Sequence, residues 1–351
     1  MHRWTDLAQV PPGFGPSVVT LGNFDGVHRG HASVLTRMVA DARAVGASAV
    51  AVTFSPHPAQ VHYPDTAPPL LTGVEDRLWL LERTGLAAVL LLEYTLDFAR
   101  QSPEEFVVRY LVNALGARTV VVGRDVRFGW GNSGDLATMT ELGERYGFTV
   151  EVIEDLAAGP VAVADADTPA PATPQERRLQ HAADPLHRRW SSTWVRELLE
   201  EGRVDVAATV LGRPHRVRGV VVHGDARGRE LGFPTANLSS DVAGMVPADG
   251  VYAGWLRRLE QPATAPDAVL PAAISVGTNP TFDGVVRRVE GYVLDRTDLD
   301  LYGEEVAFEF VERLRPTLRF DSVDELVATM CDDVDRARDL LKDASDTATG
   351  W

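Results

Sequence analysis

A chain of 351 residues is longer than one typical compact domain and suits two, each able to bury its own apolar core. A formal net charge of -16 argues against a general nucleic-acid binder, because affinity for a phosphate backbone comes from accumulated Lys and Arg. No apolar run reaches the roughly 18 residues of a membrane span. The first residues, Met1 to Gln9, lack the apolar core of a secretory signal, which predicts a cytoplasmic protein. Cys331 stands alone, so a disulfide framework and a Cys-rich zinc site are both excluded; its spacing with Leu326, Val327 and Val334 predicts a place in a helix core. Lys342 is the only lysine, and it lies in neither a Walker loop nor a protein-kinase strand.

Over the first 155 residues, short β-branched runs alternate with helical patterns: Ser17 to Leu21, Ala47 to Phe54, Ala87 to Glu93, Arg118 to Gly123 and Phe148 to Asp155 read as strands. This alternation predicts a doubly wound parallel sheet whose ligands sit at the carboxyl ends of the strands, after Leu21, Phe54 and Gly123. Between the third and fourth runs, Ser102 with Pro103 and Glu105 predicts a capped helix start, and Gly116 its stop.

The loop Leu21-Gly22-Asn23-Phe24-Asp25-Gly26 leads from the first strand to a helix beginning near His31. A helix N-terminus offers backbone N–H groups and a positive dipole end to an anion. Gly30 lets the backbone approach closely, and His28 and His31 can each direct a ring N–H at oxygens whose charge rises during transfer. Taken alone, the two histidines could equally be caps or solvent-exposed groups. Zinc fits them less well, since no third ligand is evident. The turn lacks Gly-x-Gly-x-x-Gly, which weakens a dehydrogenase reading. Two further polar loops leave the same sheet edge, Thr53-Phe54-Ser55-Pro56-His57-Pro58 and Gly123-Arg124-Asp125-Val126-Arg127-Phe128-Gly129; His57 is open to a purely structural role.

From 156 to 188 the pattern dissolves into Ala, Pro and Asp and predicts a mobile insertion. A helix Ser192 to Glu201 and a shorter one, Val204 to Leu211, follow. Ser192, Thr193 and Arg196 at the first helix start could hold a leaving pyrophosphate, although Ser-Ser-Thr is also an ordinary cap. The expected organisation is a domain at 1–188, linking helices at 189–213 and a second domain at 214–351.

In that second domain, Val217 to His223, Val251 to Leu259, Ala272 to Val276, Arg287 to Leu294 and Val306 to Arg313 predict antiparallel strands in a small closed barrel. A helix runs from Ser322, in a capping box with Glu325, through Leu341, with a fraying tail after Lys342. Behind the first of these strands, the stretch His223 to Asn237 contains Gly224, Gly228 and Pro234-Thr235-Ala236-Asn237. Glycine-rich backbone can wrap phosphates, and Thr235 and Asn237 offer neutral oxygens to a hydrated Mg²⁺; a plain turn is the alternative. Strand alternation puts Glu290 on one face with Arg288 and Tyr292. A hydroxyl is not nucleophilic at neutral pH, so phosphorylating one calls for a carboxylate base, and Glu290 is the candidate, with an exposed strand glutamate as the alternative.

The first loop, the Pro-His-Pro loop, the Asp125 loop and Ser-Ser-Thr-x-x-Arg together resemble the FMN adenylyltransferase module of prokaryotic bifunctional riboflavin kinase/FAD synthetases. Pro-Thr-x-Asn, Gly250-Val251-Tyr252-Ala253, Gly277-Thr278-Asn279-Pro280-Thr281-Phe282 and Asp300-Leu301-Tyr302-Gly303 resemble its riboflavin kinase module. The resemblance covers most of the chain apart from the insertion and the tail. It implies a nucleotidyltransferase sheet domain and a six-stranded kinase barrel, with riboflavin, FMN and ATP as substrates and Mg²⁺ as cofactor. It also implies His28 and His31 on the ATP phosphates alongside Gly22, Asn23 and Gly30, and Arg196 near the pyrophosphate. Phe54, Asp125 and Phe128 are then candidates for the flavin side, Thr235 and Asn237 for Mg-ATP, and Glu290 for the base. A kinase with a weakened adenylyltransferase module and a non-catalytic flavin or nucleotide binder are the competing readings; mere binding needs neither Glu290 nor the paired histidines. Self-association, if any, is expected to be weak.

Overall fold

The computed structural model describes residues 1–153, 189–224, 231–262, 264–281 and 284–343. The insertion expected at 156–188, Gly228, Phe282 and the tail lie outside them. Two compact units are present. The first comprises Met1–Pro68 and Val74–Ser191, the second Pro69–Gly73 and Ser192–Trp351.

The first unit is built on six parallel strands: β1 (His2–Trp4), β2 (Ser17–Leu21), β3 (Ser48–Ser55), β4 (Ala88–Glu93), β5 (Ala117–Gly123) and β6 (Thr149–Ile153), in the order β1-β4-β3-β2-β5-β6. The five strands expected from the sequence are all present; β1, three residues long, is additional. Val19, Val50, Val52, Ala88, Leu90 and Val120 are fully buried, because a parallel sheet covered on both faces has no solvent side. The helices that cover it include α1 (Arg29–Ala44), α2 (Pro58–His62), α3 (Val74–Arg83), α4 (Pro103–Phe106) and α5 (Leu136–Tyr146). Helix α4 starts as its sequence predicts. Ser102 Oγ accepts from the Glu105 N–H at 3.2 Å, the Glu105 carboxylate accepts from the Ser102 N–H at 2.7 Å, and Pro103 occupies the first turn. The helix continues as a π-type stretch, Val107–Ala114, whose Val107, Tyr110 and Leu111 enter the core.

The strand order reverses between β3 and β5 on either side of β2. The register Leu21↔Val52 and Thr20↔Val121 therefore brings the loops after β2, β3 and β5 out side by side at one edge.

The second unit opens with α6 (Ser192–Glu200) and α7 (Val204–Leu211), which bury Trp194, Val195, Leu198 and Leu199, then Val204, Ala207, Val210 and Leu211. Strands β7 (His215–Val222), β8 (Thr235–Leu238), β9 (Gly250–Arg258), β10 (Val269–Thr281), β11 (Gly284–Val293) and β12 (Glu305–Arg315) close an antiparallel barrel in the order β10-β11-β8-β7-β12-β9. Composition alone reveals five of them. The sixth, β8, is the Pro-Thr-Ala-Asn segment itself, so a stretch that looks like a phosphate turn pairs as a strand with β7 and β11. Tyr252, Phe308, Phe310, Leu256 and Ile274 fill the interior, each fully buried, at about 1.5–3 kcal/mol per large side chain. On the outer face Glu309, wholly buried, is held between Arg216 at 2.5 Å and Arg257 at 2.7 Å. Removing one partner of such a pair would leave an uncompensated buried charge.

Helix α8 (Val323–Asp343) packs on the outside of the barrel through Val334, Ala337 and Leu341 and is pinned by Asp333 to Arg315 at 2.7 Å. Its cap differs slightly from the expected box. Ser322 accepts from the Glu325 N–H, but the Glu325 carboxylate accepts from the Asp321 N–H, at 3.2 Å each. Cys331 is exposed, contrary to its expected core position, because it is rotated to the edge of the Val334–Ala337–Leu341 stripe.

Candidate active sites

In the first unit, α1 begins at Arg29, two residues before His31. His28 is its N-cap: the buried ring accepts the His31 backbone N–H on Nδ1 at 3.3 Å, leaving Nε2 as the ring nitrogen able to donate. The two imidazoles stack at 3.8 Å between centroids with 21° between planes, and Phe24 stands edge-on to His31 at 5.4 Å. One histidine thus caps the helix and also braces its neighbour, so the cap and phosphate readings are compatible. Burial, followed by the positive charge of Arg189, lowers the His31 imidazole to about 4. The ring is therefore neutral at neutral pH, and its enclosed Nδ1 has no hydrogen-bond partner among the described residues. Gly30 keeps clear of the capping ring, since a Cβ there would lie 3.0 Å from His28 Nδ1 and press on it.

The loops after β3 and β5 complete this edge. His57 is a structural cap: its Nδ1 accepts from the Ala59 N–H at 3.1 Å, and Gln60 accepts from the His57 N–H at 3.1 Å. Phe54 is half-buried and meets Tyr94 at 5.7 Å and Phe98 at 5.9 Å, in a run of rings that continues through Phe106 to buried Phe128. Asp125 is exposed and faces Arg189 at 3.6 Å. Gly22 lies under the Phe24 ring, and the Asn23 carbonyl accepts from Thr53 Oγ1 at 3.2 Å. Motif reading overlooks Arg189, which has no sequence signal beyond its charge, and Arg77 of α3, which does. Val74, Arg77, Leu78 and Leu81 share the inward stripe of that helix, where an arginine needs a reason.

Ser192 and Thr193 open α6, and Arg196 one turn on donates from Nε to the Pro69 carbonyl at 2.8 Å. All four residues belong to the second unit.

In the barrel, Thr235 and Asn237 point to one side of β8, and the register sets Asn237 directly opposite Glu290 and Thr235 opposite Tyr292. Asn237 Nδ2 donates to the Thr235 carbonyl at 3.1 Å and to its Oγ1 at 3.2 Å, which leaves Asn237 Oδ1 turned the other way. Hard oxygen donors with a carboxylate across the ladder suit Mg²⁺, and the described residues contain no group of three His, Cys, Asp or Glu that would make a protein-only metal cage. Gly224 leaves room for the Asn237 amide: a Cβ there would come within 2.6 Å of it and force the amide to turn. A cleft of about 490 Å³, within the usual range for a small-molecule site, is lined by Pro234, Thr235, Arg296, Leu301 and Tyr302, with His223 stacked on Tyr302 at 3.8 Å. The Asp300–Gly303 motif therefore shares a cleft with the Pro-Thr-x-Asn strand.

Residues 12–166 match the family described as FAD synthetase, and residues 211–341 match the family described as riboflavin kinase. The chain is 33% identical over 327 residues to the bifunctional riboflavin kinase/FMN adenylyltransferase of Escherichia coli strain K12, covering 92% of each chain. It is 30% identical over 316 residues to the protein of the same name from Bacillus subtilis, covering 88% of each. A crystal structure from Streptococcus pneumoniae, titled macrolide-efflux protein, superposes with a TM-score of 0.75 over 96% of this chain and 98% of that one, at 29% identity. No helix among the described residues is long and apolar enough to cross a membrane. Two family matches in chain order, and relatives aligned over nearly their whole length, agree with a nucleotidyltransferase sheet followed by a barrel: the chain belongs to the bifunctional riboflavin kinase/FMN adenylyltransferase family.

Proposed function

We propose that this ATP-using enzyme makes FMN from riboflavin at the barrel and then FAD from FMN at the sheet edge, with the following division of labour. At the barrel, Glu290 accepts the proton of the flavin hydroxyl as its oxygen attacks the γ-phosphorus of ATP, and the bond to the β-phosphate oxygen breaks to release ADP. Thr235 and Asn237 would hold Mg²⁺, which would neutralise phosphate charge, while Gly224 lets the backbone come close to the phosphates. At the sheet edge, an FMN phosphate oxygen attacks the α-phosphorus of a second ATP and pyrophosphate leaves. That nucleophile is already anionic, so the site aligns and neutralises and needs no base. His28 and His31 donate to the phosphate oxygens beside Gly22, Asn23 and Gly30. Ser192, Thr193 and Arg196 take the leaving pyrophosphate, and Phe54, Asp125 and Phe128 take the flavin. ATP as co-substrate favours the cytoplasm as the place of action.

The observation that supports this reading is the register pair Asn237–Glu290, which sets the candidate oxygen donor and the candidate base opposite each other on adjacent strands. Riboflavin, ATP and Mg²⁺ incubated with the protein should yield FMN first and FAD with pyrophosphate later, resolved by chromatography. FMN without FAD would leave the kinase alone. ATP consumption that does not depend on flavin would refute both steps.

A further inference from the structure

Resting on that reading of the sheet edge, we propose that Arg77 is a positioning residue for adenylyl transfer, fixing the loop after β2 against the carboxyl end of β3 in one geometry. Arg77 is 2% exposed. Its Nη1 donates to the Asn23 carbonyl at 3.0 Å and its Nη2 to the Phe54 carbonyl at 2.8 Å. On that reading Asn23 lies on the ATP side of the site and Phe54 on the flavin side, so one planar guanidinium ties the loop after β2 to the last residues of strand β3, one from each side of the site. Its fork spans both acceptors at once, which a lysine ammonium on a flexible stem cannot reproduce. Thr53 Oγ1 reaches the same Asn23 carbonyl at 3.2 Å, so that group is held from two directions.

The loop needs holding. Phe24 at φ 49° and Val27 at φ 37° are buried non-glycine residues in the left-handed region, where a β-branched side chain is strongly disfavoured. Such backbone persists only when its surroundings over-determine it. Asp25, 3% exposed and between those two residues, is a carboxylate whose field favours the charged Arg77, against the burial that disfavours it. Arg77 therefore serves the loop both by charge and by hydrogen bonds, and it acts on chemistry through Asn23, Phe54 and the His28 cap that ends the loop.

The test compares full-length Arg77→Met, Arg77→Lys and Thr53→Val with the parent, measuring kcat and KM for FMN and ATP in FAD formation, FMN formation from riboflavin, and thermal unfolding. At a temperature where all proteins remain folded, Arg77→Met should lower kcat for FAD formation by about 10- to 100-fold, the scale of a small misplacement of reacting groups, and leave FMN formation within about twofold. Arg77→Lys should recover part of the kcat. Thr53→Val should lower it by less and combine non-additively with Arg77→Lys, because both act on one carbonyl. A folded Arg77→Met with the parent kcat would overturn the proposal, as would a loss that merely follows the unfolded fraction or an equal loss in Arg77→Lys and Arg77→Met. If the parent itself makes no FAD, the proposed function of the sheet edge has failed; parent FAD formation with an unaffected Arg77→Met sinks only this inference.

Discussion

His31 shows how a residue's surroundings decide its chemistry. In water an imidazole is half-protonated near 6.5, but burial and then Arg189 hold this one neutral down to about 4. The unfolded chain takes up the proton below about 6.5 while the folded chain refuses it until about 4, so the unfolded state binds more protons across that window. Stability therefore falls as the pH is lowered through it. His215, buried and held near 4 chiefly by desolvation, adds a contribution of the same sign in the second unit. Urea midpoints measured from about pH 7 down to about pH 4.5 should decline in the parent, and less steeply in His31→Gln, which keeps the polar group but cannot titrate. An identical slope in the variant would mean that His31 is not buried as a neutral ring. The sequence makes both histidines candidates but leaves their tautomers open. His28 Nδ1 is an acceptor only because the fold turns that ring back over the first turn of α1.

At the scale of the element, β8 is the instructive case. Four residues, Thr235 to Leu238, carry the candidate oxygen donors Thr235 and Asn237 as alternate side chains of a strand, so their geometry is set by a ladder and not by a loop. A ladder fixes Asn237 against Glu290 as closely as any two residues in a sheet. Gly224, at the end of β7, completes the arrangement by leaving room for the Asn237 amide. Gly224→Ala should turn that amide off Thr235, where it now makes two hydrogen bonds, and cut FMN formation by about 10- to 100-fold while FAD formation from supplied FMN stays intact. Steady-state kinetics with each flavin separately would check this, and unchanged FMN formation would mean the amide position is not critical. The helix starts tell the opposite story. Ser102 with Glu105 is legible from sequence because a capping box is a local contract between residues three apart.

At the scale of the whole molecule, each unit has its own core, and the histidine pair stands in the first while Glu290 stands in the second. His28→Ala should cut FAD formation by about 10²- to 10³-fold, the usual loss for one preorganised donor, and spare FMN formation. Glu290→Gln should do the reverse. An equimolar mixture of the two variants given riboflavin and ATP should then form FAD, each supplying the step that the other lacks. A mixture that stalls at FMN would show that the product of one chain cannot serve the other. Parallel losses of both activities in either single variant would contradict separate centres.

The sequence by itself determined the two-part architecture, the strand and helix starts set by local periodicity and caps, and the identity of most candidate groups, since these depend on residues within a few positions of one another. Glu290 and Asn237 are both visible in it, but 53 positions apart in number they become neighbours only through the closure of the barrel. Tertiary structure alone decided that pairing, the strand character of β8, the exposure of Cys331 and the burial of Arg77 against two carbonyls. Each depends on which faces are buried against which, and burial is a property of the packed chain. A charged side chain such as Arg77 carries no local mark of whether it will meet water or two carbonyls at the end of neighbouring strands.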